Sequence, residues 1–168
     1  MDVAVIGAGV IGAAVANKLA ERGMDVVLLE AQKRPCTGIS SRNSGVIHSG
    51  LYYHPNSLKA RSCIRGQALL YEWCERFQVP HRRTGKLIVG DVDALEELWS
   101  HAIENGAKGC RLLGAGRLLA LEPSLGGHSA ALFCGFSGIG QNILAADGVT
   151  FAIQGAFSRR AIIGLGAS

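Results

Sequence analysis

An α/β fold is predicted, opening on a parallel βαβ unit and followed by part of a second, α+β domain. Three observations predict it. A β-branched run, Asp2 to Ile6, passes straight into a glycine-punctuated turn and an Ala-rich helical stretch. A second apolar run ends on an acid, Glu30. Beyond residue 57, helical and extended periodicities alternate.

The elements follow in order. Asp2 to Ile6 reads as a buried parallel strand. Helix is expected from Val10 to Arg22, stopped by Gly23, and a second strand from Asp25 to Glu30. Residues 31–57 are irregular and carry Pro35, Gly38, Gly45, Gly50 and Pro55. A loop of that length inside a compact domain is usually functional. A helical turn is expected near Ser44 to His48. Ser57 to Gln78 reads as a helix, with Ala60, Cys63, Ile64, Tyr71, Cys74 and Phe77 on one stripe and Arg61, Arg65, Glu72 and Arg76 on another face. Thr84 to Val89 reads as a strand. Asp93 to Asn105 reads as a helix capped by Asp93 with Glu96 behind it. It would bury Leu95, Leu98, Trp99, Ala102 and Ile103, and Gly106 would close it. Short elements are expected at Arg111 to Leu113, Arg117 to Leu121 and Ala130 to Phe133.

Composition narrows the function classes. The 168 residues are 48% hydrophobic and 18% charged, which fits a globular chain. The net charge of +4 is mild, and Arg82-Arg83 and Arg159-Arg160 are isolated pairs, so no nucleic-acid partner is expected. The five cysteines show no CxxC spacing, so neither a metal site nor a disulfide framework is expected, and a reducing compartment fits. The longest apolar run, Val3 to Ala16, is short of the about 20 residues of a spanning helix. With no basic leader after Met1-Asp2, no signal or transit peptide is visible and a cytoplasmic location is expected.

Gly7-Ala8-Gly9-Val10-Ile11-Gly12 is a GxGxxG run between a strand and a helix, the setting that gives this motif meaning. Gly7 permits the sharp turn. Gly9 has no side chain to obstruct a pyrophosphate, and Gly12 lets the helix pack on the strand. The helix start offers unpaired N–H groups to phosphate. Glu30 stands where a carboxylate grips a ribose diol and repels a 2′-phosphate. These features define a Rossmann-type dinucleotide site without separating FAD from NAD. The structural alternative is a plain βαβ unit with Glu30 on its surface.

The next stretch separates the two cofactors. Ser40-Ser41-Arg42-Asn43-Ser44-Gly45-Val46-Ile47-His48-Ser49-Gly50 is dense in small hydrogen-bonding residues. With Leu51-Tyr52-Tyr53, Ser57-Leu58-Lys59-Ala60-Arg61, Gly85-Lys86-Leu87-Ile88-Val89 and Leu121-Glu122-Pro123, it resembles FAD-dependent oxidoreductases of the D-amino-acid oxidase and glycerol-3-phosphate dehydrogenase type. Within them it is most similar to the L-2-hydroxyglutarate dehydrogenases and oxidases. The resemblance covers about residues 2–136. It implies a Rossmann-type FAD-binding domain, incomplete here, and part of an antiparallel substrate domain. It also implies oxidation of a 2-hydroxy acid to a 2-oxo acid, with an electron acceptor the sequence does not identify.

By position, Gly7, Ala8, Gly9, Val10, Ile11, Gly12 and Glu30 would hold the ADP half of FAD. Ser40, Ser41, Arg42, Asn43, Ser44 and Gly45 would line the pyrophosphate and flavin. His48 would lie beside the isoalloxazine ring. A neutral imidazole suits the general base, since hydride leaves carbon more readily once the adjoining hydroxyl is deprotonated. The alternative for His48 is a packed or solvated histidine. A dicarboxylate substrate needs cations, and Arg61 and Lys86 are candidates by residue type alone, against ordinary solvated roles. Tyr52, Tyr53 and Trp73 read as packing residues.

The chain is thus expected to comprise a FAD-binding segment (1–78), a partial substrate domain (79–136) and an atypical Gly-rich tail (137–168). The resemblance decays after Phe133: Gly138-Ile139-Gly140-Gln141 stands where the family has Gly-Ile-Val-Asp. A fragment, truncated isoform or mispredicted product is therefore expected, with apolar surface left uncovered. A non-catalytic remnant, an enzyme for glycerol 3-phosphate or an amino acid, and an NAD-binding Rossmann protein are the alternatives.

Overall fold

The computed structural model describes residues 1–140 and 162–164. The chain divides into two compact units: residues 1–45, 77–79 and 141–168, and residues 46–76 and 80–140.

The first unit is the βαβ unit. β1 (Val3–Ile6), α1 (Val10–Glu21) and β2 (Val26–Glu30) follow one another within a residue or so of the predicted bounds. β1 and β2 pair in parallel, from Val3 opposite Val26 to Ile6 opposite Leu29. Gly23, at φ +82, ends α1 by donating its N–H to the Ala20 carbonyl (2.9 Å). The core is small: Ala8, Ala13, Ala16, Val26, Leu28 and Cys36, with Val5, Val10 and Leu19 packed on it. The alanines let α1 lie close to the sheet.

β1 is not buried on both faces as expected. Ala4 and Ile6 are exposed, Ile6 at 86%, and Ile11 of α1 is 75% exposed. β1 is an edge strand among the described residues, so one side of it meets no neighbour. The uncovered apolar surface anticipated from the sequence is present here. On the other side of β2, Ile162–Gly164 pairs in parallel with Leu28–Glu30. A strand returning to this sheet was not legible in the sequence, because three residues carry no periodicity to read. The helical turn of the long loop falls at Ile39–Ser41, earlier than predicted, and Val46–Ile47 is extended. Val46 and Ile47 are β-branched and favour a strand.

The second unit holds two three-stranded antiparallel sheets. In one, β3 (Val46–Ile47) and β4 (His81–Arg82) flank β8 (Gly138–Gly140). In the other, β5 (Leu87–Val89) and β6 (Cys110–Gly114) flank β7 (Ala130–Cys134). α2 (Leu58–Arg76), α3 (Val92–Glu104) and α4 (Ala115–Leu121) accompany them. The second core gathers Leu51, Leu95, Ala102, Leu132 and Cys134.

Several sequence expectations are revised. α2 belongs to this unit, because Gln67 Nε2 and the Tyr71 hydroxyl both donate to the Phe136 carbonyl (3.0 Å each). Residues 138–140, assigned to the tail, form a central strand. A Cβ at Gly138 would collide with the Tyr71 hydroxyl and the Arg82 carbonyl, so that strand needs glycine where its neighbours close in. The predicted strand at Thr84 shortens to Leu87–Val89, since Gly85 turns at φ +71. α3 starts one residue before Asp93. Asp91 is its cap residue and makes no side-chain capping bond, so the capping box is absent. Of its predicted face, Leu95 and Ala102 are buried, while Trp99 and Ile103 are 36% and 58% exposed. The sheet covers a narrower arc of the helix than its apolar stripe offers.

Gly66 lies inside α2, where a Cβ would meet open space and the backbone has no need for positive φ. Gly66→Ala is expected to stabilise the protein by about 0.5–1 kcal/mol, by removing freedom from the unfolded chain. A thermal melt that fails to rise would contradict this account of α2.

Candidate functional site

The glycine turn and the end of β2 form one cradle. Gly7 leaves β1 at φ +96, and its N–H donates to the Leu29 carbonyl (2.7 Å). Gly9 is the cap residue of α1, with extended backbone. The first intrahelical bond runs from Ala13 N–H to the Gly9 carbonyl (2.9 Å). The amides of the first turn therefore lack helical partners. Val10 N–H is taken by Ser40 Oγ (3.0 Å), so the long loop returns to the helix tip. Among the described residues nothing takes the Ile11 and Gly12 amides of the same turn, which suits them to an anion.

The Ala8 peptide is held at both ends. Its N–H donates to Glu30 Oε2 (2.7 Å), and its carbonyl accepts from Cys36 N–H (3.0 Å) and Cys36 Sγ (3.3 Å). Glu30 Oε1 also accepts from Gln32 N–H (2.9 Å). The Gln32 and Ala8 amides hold the Glu30 carboxyl below the ordinary glutamate value of 4.5. Burial, with the Glu30 charge adding to it, pushes the Cys36 thiol up, so Cys36 stays a neutral donor. A carboxylate has about four lone-pair positions, and two amides leave room for a diol.

The space above the turn exists because two side chains are missing. A Cβ on Gly12 would strike the Gly7 carbonyl, and one on Gly9 would come to 3.0 Å from Ser40 Oγ. These residues fit a dinucleotide: backbone at the pyrophosphate, amides at the helix tip, an acid at the ribose.

Glu30 also predicts a pH dependence. Its folded pKa lies below the unfolded one, so its contribution is fully present above about pH 4.5 and is lost as pH falls through the folded value. Glu30→Gln is expected to flatten that acid limb and to cost about 1 kcal/mol at neutral pH, a partly exposed group being discounted. Superimposable stability–pH curves for the two proteins would refute this.

The remaining predicted residues separate into two groups. Ser41, Arg42, Asn43 and Ser44 are exposed and Gly45 half-buried. Ser41 Oγ donates to the Gly38 carbonyl (2.8 Å). Asn43 Nδ2 donates to the Ser40 carbonyl (2.9 Å), and Asn43 Oδ1 accepts from Gly45 N–H (2.8 Å). These bonds shape their own loop, and the Ser40 hydroxyl reaches the glycine turn. His48, Arg61 and Lys86 belong to the second unit. The His48 and Arg61 side chains are exposed. Lys86 Nζ is hydrogen-bonded to the Tyr52 hydroxyl and lies 4.5 Å from that ring's centroid.

Sequence reasoning missed Gln67. It is 9% exposed, and its Nε2 donates to the His48 carbonyl (2.9 Å) as well as to Phe136. The available signal was a lone polar residue inside the apolar stripe of α2. Asn105 acts similarly, donating to the Gly50 (3.2 Å) and Tyr53 (2.9 Å) carbonyls. Among the described residues no group of His, Cys, Asp or Glu could hold a metal.

Comparison with known proteins agrees with this geometry. A family described as FAD dependent oxidoreductase matches residues 2–154. L-2-hydroxyglutarate dehydrogenase, mitochondrial, of Arabidopsis thaliana is 44% identical over 129 residues, 74% of this chain and 27% of that protein. The Homo sapiens protein of the same name is 37% identical over 144 residues, 82% of this chain and 31% of its own length. Among solved structures, the L-alpha-glycerophosphate oxidase of Mycoplasma pneumoniae with FAD bound superposes with a TM-score of 0.80 at 30% identity. That match covers 92% of this chain and 42% of the oxidase. A glycine oxidase from Geobacillus kaustophilus, with a TM-score of 0.76 at 23% identity, shows the same fold. The chain spans about a third of the length of the curated relatives it matches. With its glycine cradle in place and the match running from residue 2 to residue 154, the chain belongs to the FAD dependent oxidoreductase family.

Proposed function

We propose that this chain is part of a dehydrogenase or oxidase that uses FAD to oxidise a 2-hydroxy acid, L-2-hydroxyglutarate, to its 2-oxo acid. The observation that carries the substrate is the identity of 37–44% to proteins named for it. The fit of the cradle to a dinucleotide supports the cofactor.

In this reading Gly7 to Gly12 and Glu30 hold the ADP half, while Ser40 to Gly45 line the pyrophosphate and flavin side. FAD, when bound, supplies the two-electron acceptor. His48 takes the proton of the substrate hydroxyl, a role open to its exposed imidazole. Arg61 and Lys86 are the cations for the substrate's carboxylates, and Lys86 would exchange its Tyr52 contact for one of them. A reading as a glycerol 3-phosphate enzyme draws on the 30% identity to the glycerophosphate oxidase.

The test starts with the absorbance spectrum of the purified chain, with and without added FAD. Flavin retention is expected, with little dye reduction by L-2-hydroxyglutarate, because the chain spans so little of its relatives. Absence of flavin uptake would favour the non-catalytic remnant. In a full-length homologue, His48→Ala is expected to lower turnover roughly 100-fold at unchanged FAD occupancy. Equal turnover would remove His48 from the mechanism, and turnover with glycerol 3-phosphate alone would reassign the substrate.

No helix among the described residues is long and apolar enough to cross a membrane. The two L-2-hydroxyglutarate dehydrogenases named above are mitochondrial proteins, which sets an organellar location against the cytoplasmic expectation. Fractionation of the tagged protein decides between them. Its electron acceptor is best sought by trying quinone analogues and dioxygen in turn.

A further inference from the structure

Cys110 and Cys134 are the first residue of β6 and the last of β7, and they stand directly opposite each other in the antiparallel register. Their sulfurs are 3.2 Å apart and share an S–H···S hydrogen bond. The adjoining Gly135 N–H donates to the Gly109 carbonyl (3.0 Å). By the alternation of an antiparallel ladder, Cys110 and Cys134 then form a non-hydrogen-bonded pair, the kind whose side chains approach most closely. A disulfide needs about 2.05 Å between sulfurs. Side-chain rotation can close most of that gap, and Gly109 and Gly135 flank the pair with no Cβ of their own to resist adjustment. All five cysteines are free thiols, and Cys36, Cys63 and Cys74 share no such contact among the described residues.

We propose that Cys110 and Cys134 form a redox-sensitive dithiol site that hydrogen peroxide converts to a reversible cross-strand disulfide. The two thiols have distinct parts. Cys110 is half-buried and reachable, whereas Cys134 is fully buried in the core with Leu51, Leu95, Ala102 and Leu132. The hydrogen bond it shares with Cys134 holds the Cys110 thiol below its ordinary range. The same bond, together with burial, pushes Cys134 up. Because Cys110 is the reachable thiol and Cys134 the fully buried one, Cys110 is the attacking sulfur and Cys134 the resolving one.

The chemistry balances. The Cys110 thiolate attacks one peroxide oxygen, the O–O bond breaks, and hydroxide leaves to be protonated to water, giving a sulfenic acid on Cys110. Cys134 Sγ then attacks Cys110 Sγ. The S–S bond forms, the S–O bond breaks, and a second water carries away the Cys134 proton. Two thiols lose two electrons, and one peroxide becomes two waters. A thiol reductant reverses the change by exchange at the accessible Cys110 sulfur. The bridge would clamp β6 to β7 across the residues between them, and Cys134 also lies beside Ser49, the neighbour of His48 in the chain.

The reduced, full chain is treated with one equivalent of peroxide, alkylated, digested and mapped by mass spectrometry. A peptide pair linked through Cys110 and Cys134 is expected, with the intact mass lowered by two hydrogens and restored by dithiothreitol. Cys110 overoxidised or alkylated beside a free Cys134, or linkage through Cys63, would overturn the proposal. Cys110→Ser is expected to leave Cys134 reduced under the same peroxide. A second probe needs no variant: phenylarsine oxide, which bridges adjacent thiols, is expected to protect both residues of the unsubstituted protein from alkylation. Unprotected Cys110 and Cys134 would count against the site even if that variant failed to fold.

Discussion

Gly12→Ala is expected to abolish flavin retention and to destabilise the βαβ unit by about 3 kcal/mol or more. The added methyl would be driven into the Gly7 carbonyl, a backbone atom held by its place at the end of β1. The collision cannot be relieved by rotating a side chain. Either α1 moves off β1, or Gly7 abandons the φ of +96 that makes the turn. In both cases the first-turn amides lose their common aim at the pyrophosphate. Flavin absorbance after purification and a thermal melt measure the two effects separately. A Gly12→Ala protein that keeps its flavin and its melting temperature would refute the assignment of this turn as the dinucleotide cradle.

Gln67→Leu is expected to carry the largest cost in the second unit, about 2–3 kcal/mol, and to lower Tm by roughly 6 °C. The leucine fills the same buried place on α2 but donates nothing. The Phe136 carbonyl keeps the Tyr71 hydroxyl, while the His48 carbonyl is left with only a long contact from Cys63 Sγ at 3.8 Å. A part-buried carbonyl left with so weak a partner is what makes the change costly. Tyr71→Phe removes one of two donors to Phe136 and is expected to cost only about 1 kcal/mol. A larger loss for Tyr71→Phe than for Gln67→Leu would show that the carbonyls are not what Gln67 secures. In a full-length homologue Gln67→Leu is also expected to reduce turnover beyond its effect on stability, because the His48 backbone loses its anchor.

The βαβ unit was legible in the sequence because its constraints are local. A β-branched run, glycines at fixed spacing, an Ala-rich helix and a terminal acid each act within a few residues. The structure returned β1, α1 and β2 close to their predicted bounds and put Glu30 on the glycine turn. Ser40 was named from the loop's composition, and only the fold showed that its hydroxyl caps Val10 across 30 residues of chain.

Other expectations failed for reasons that share one cause. α3 carries Trp99 and Ile103 on its apolar stripe, but how much of a stripe is covered depends on the sheet beneath it, which the helix does not encode. Asp93 has the composition of a cap, yet the chain enters the helix earlier. The strands at residues 138–140 and 162–164 are too short to show a period, and they exist through partners distant in sequence.

The sequence by itself therefore determined the βαβ unit with its glycine turn and terminal acid, and membership in a flavin-dependent family, because backbone freedom and short-range spacing are written residue by residue. Tertiary structure alone decided that Gln67 spans two carbonyls, that Gly138 threads between Tyr71 and Arg82, and that Cys110 meets Cys134. Those facts depend on which strands pair and in what register, and pairing is fixed by the whole core rather than by any one segment.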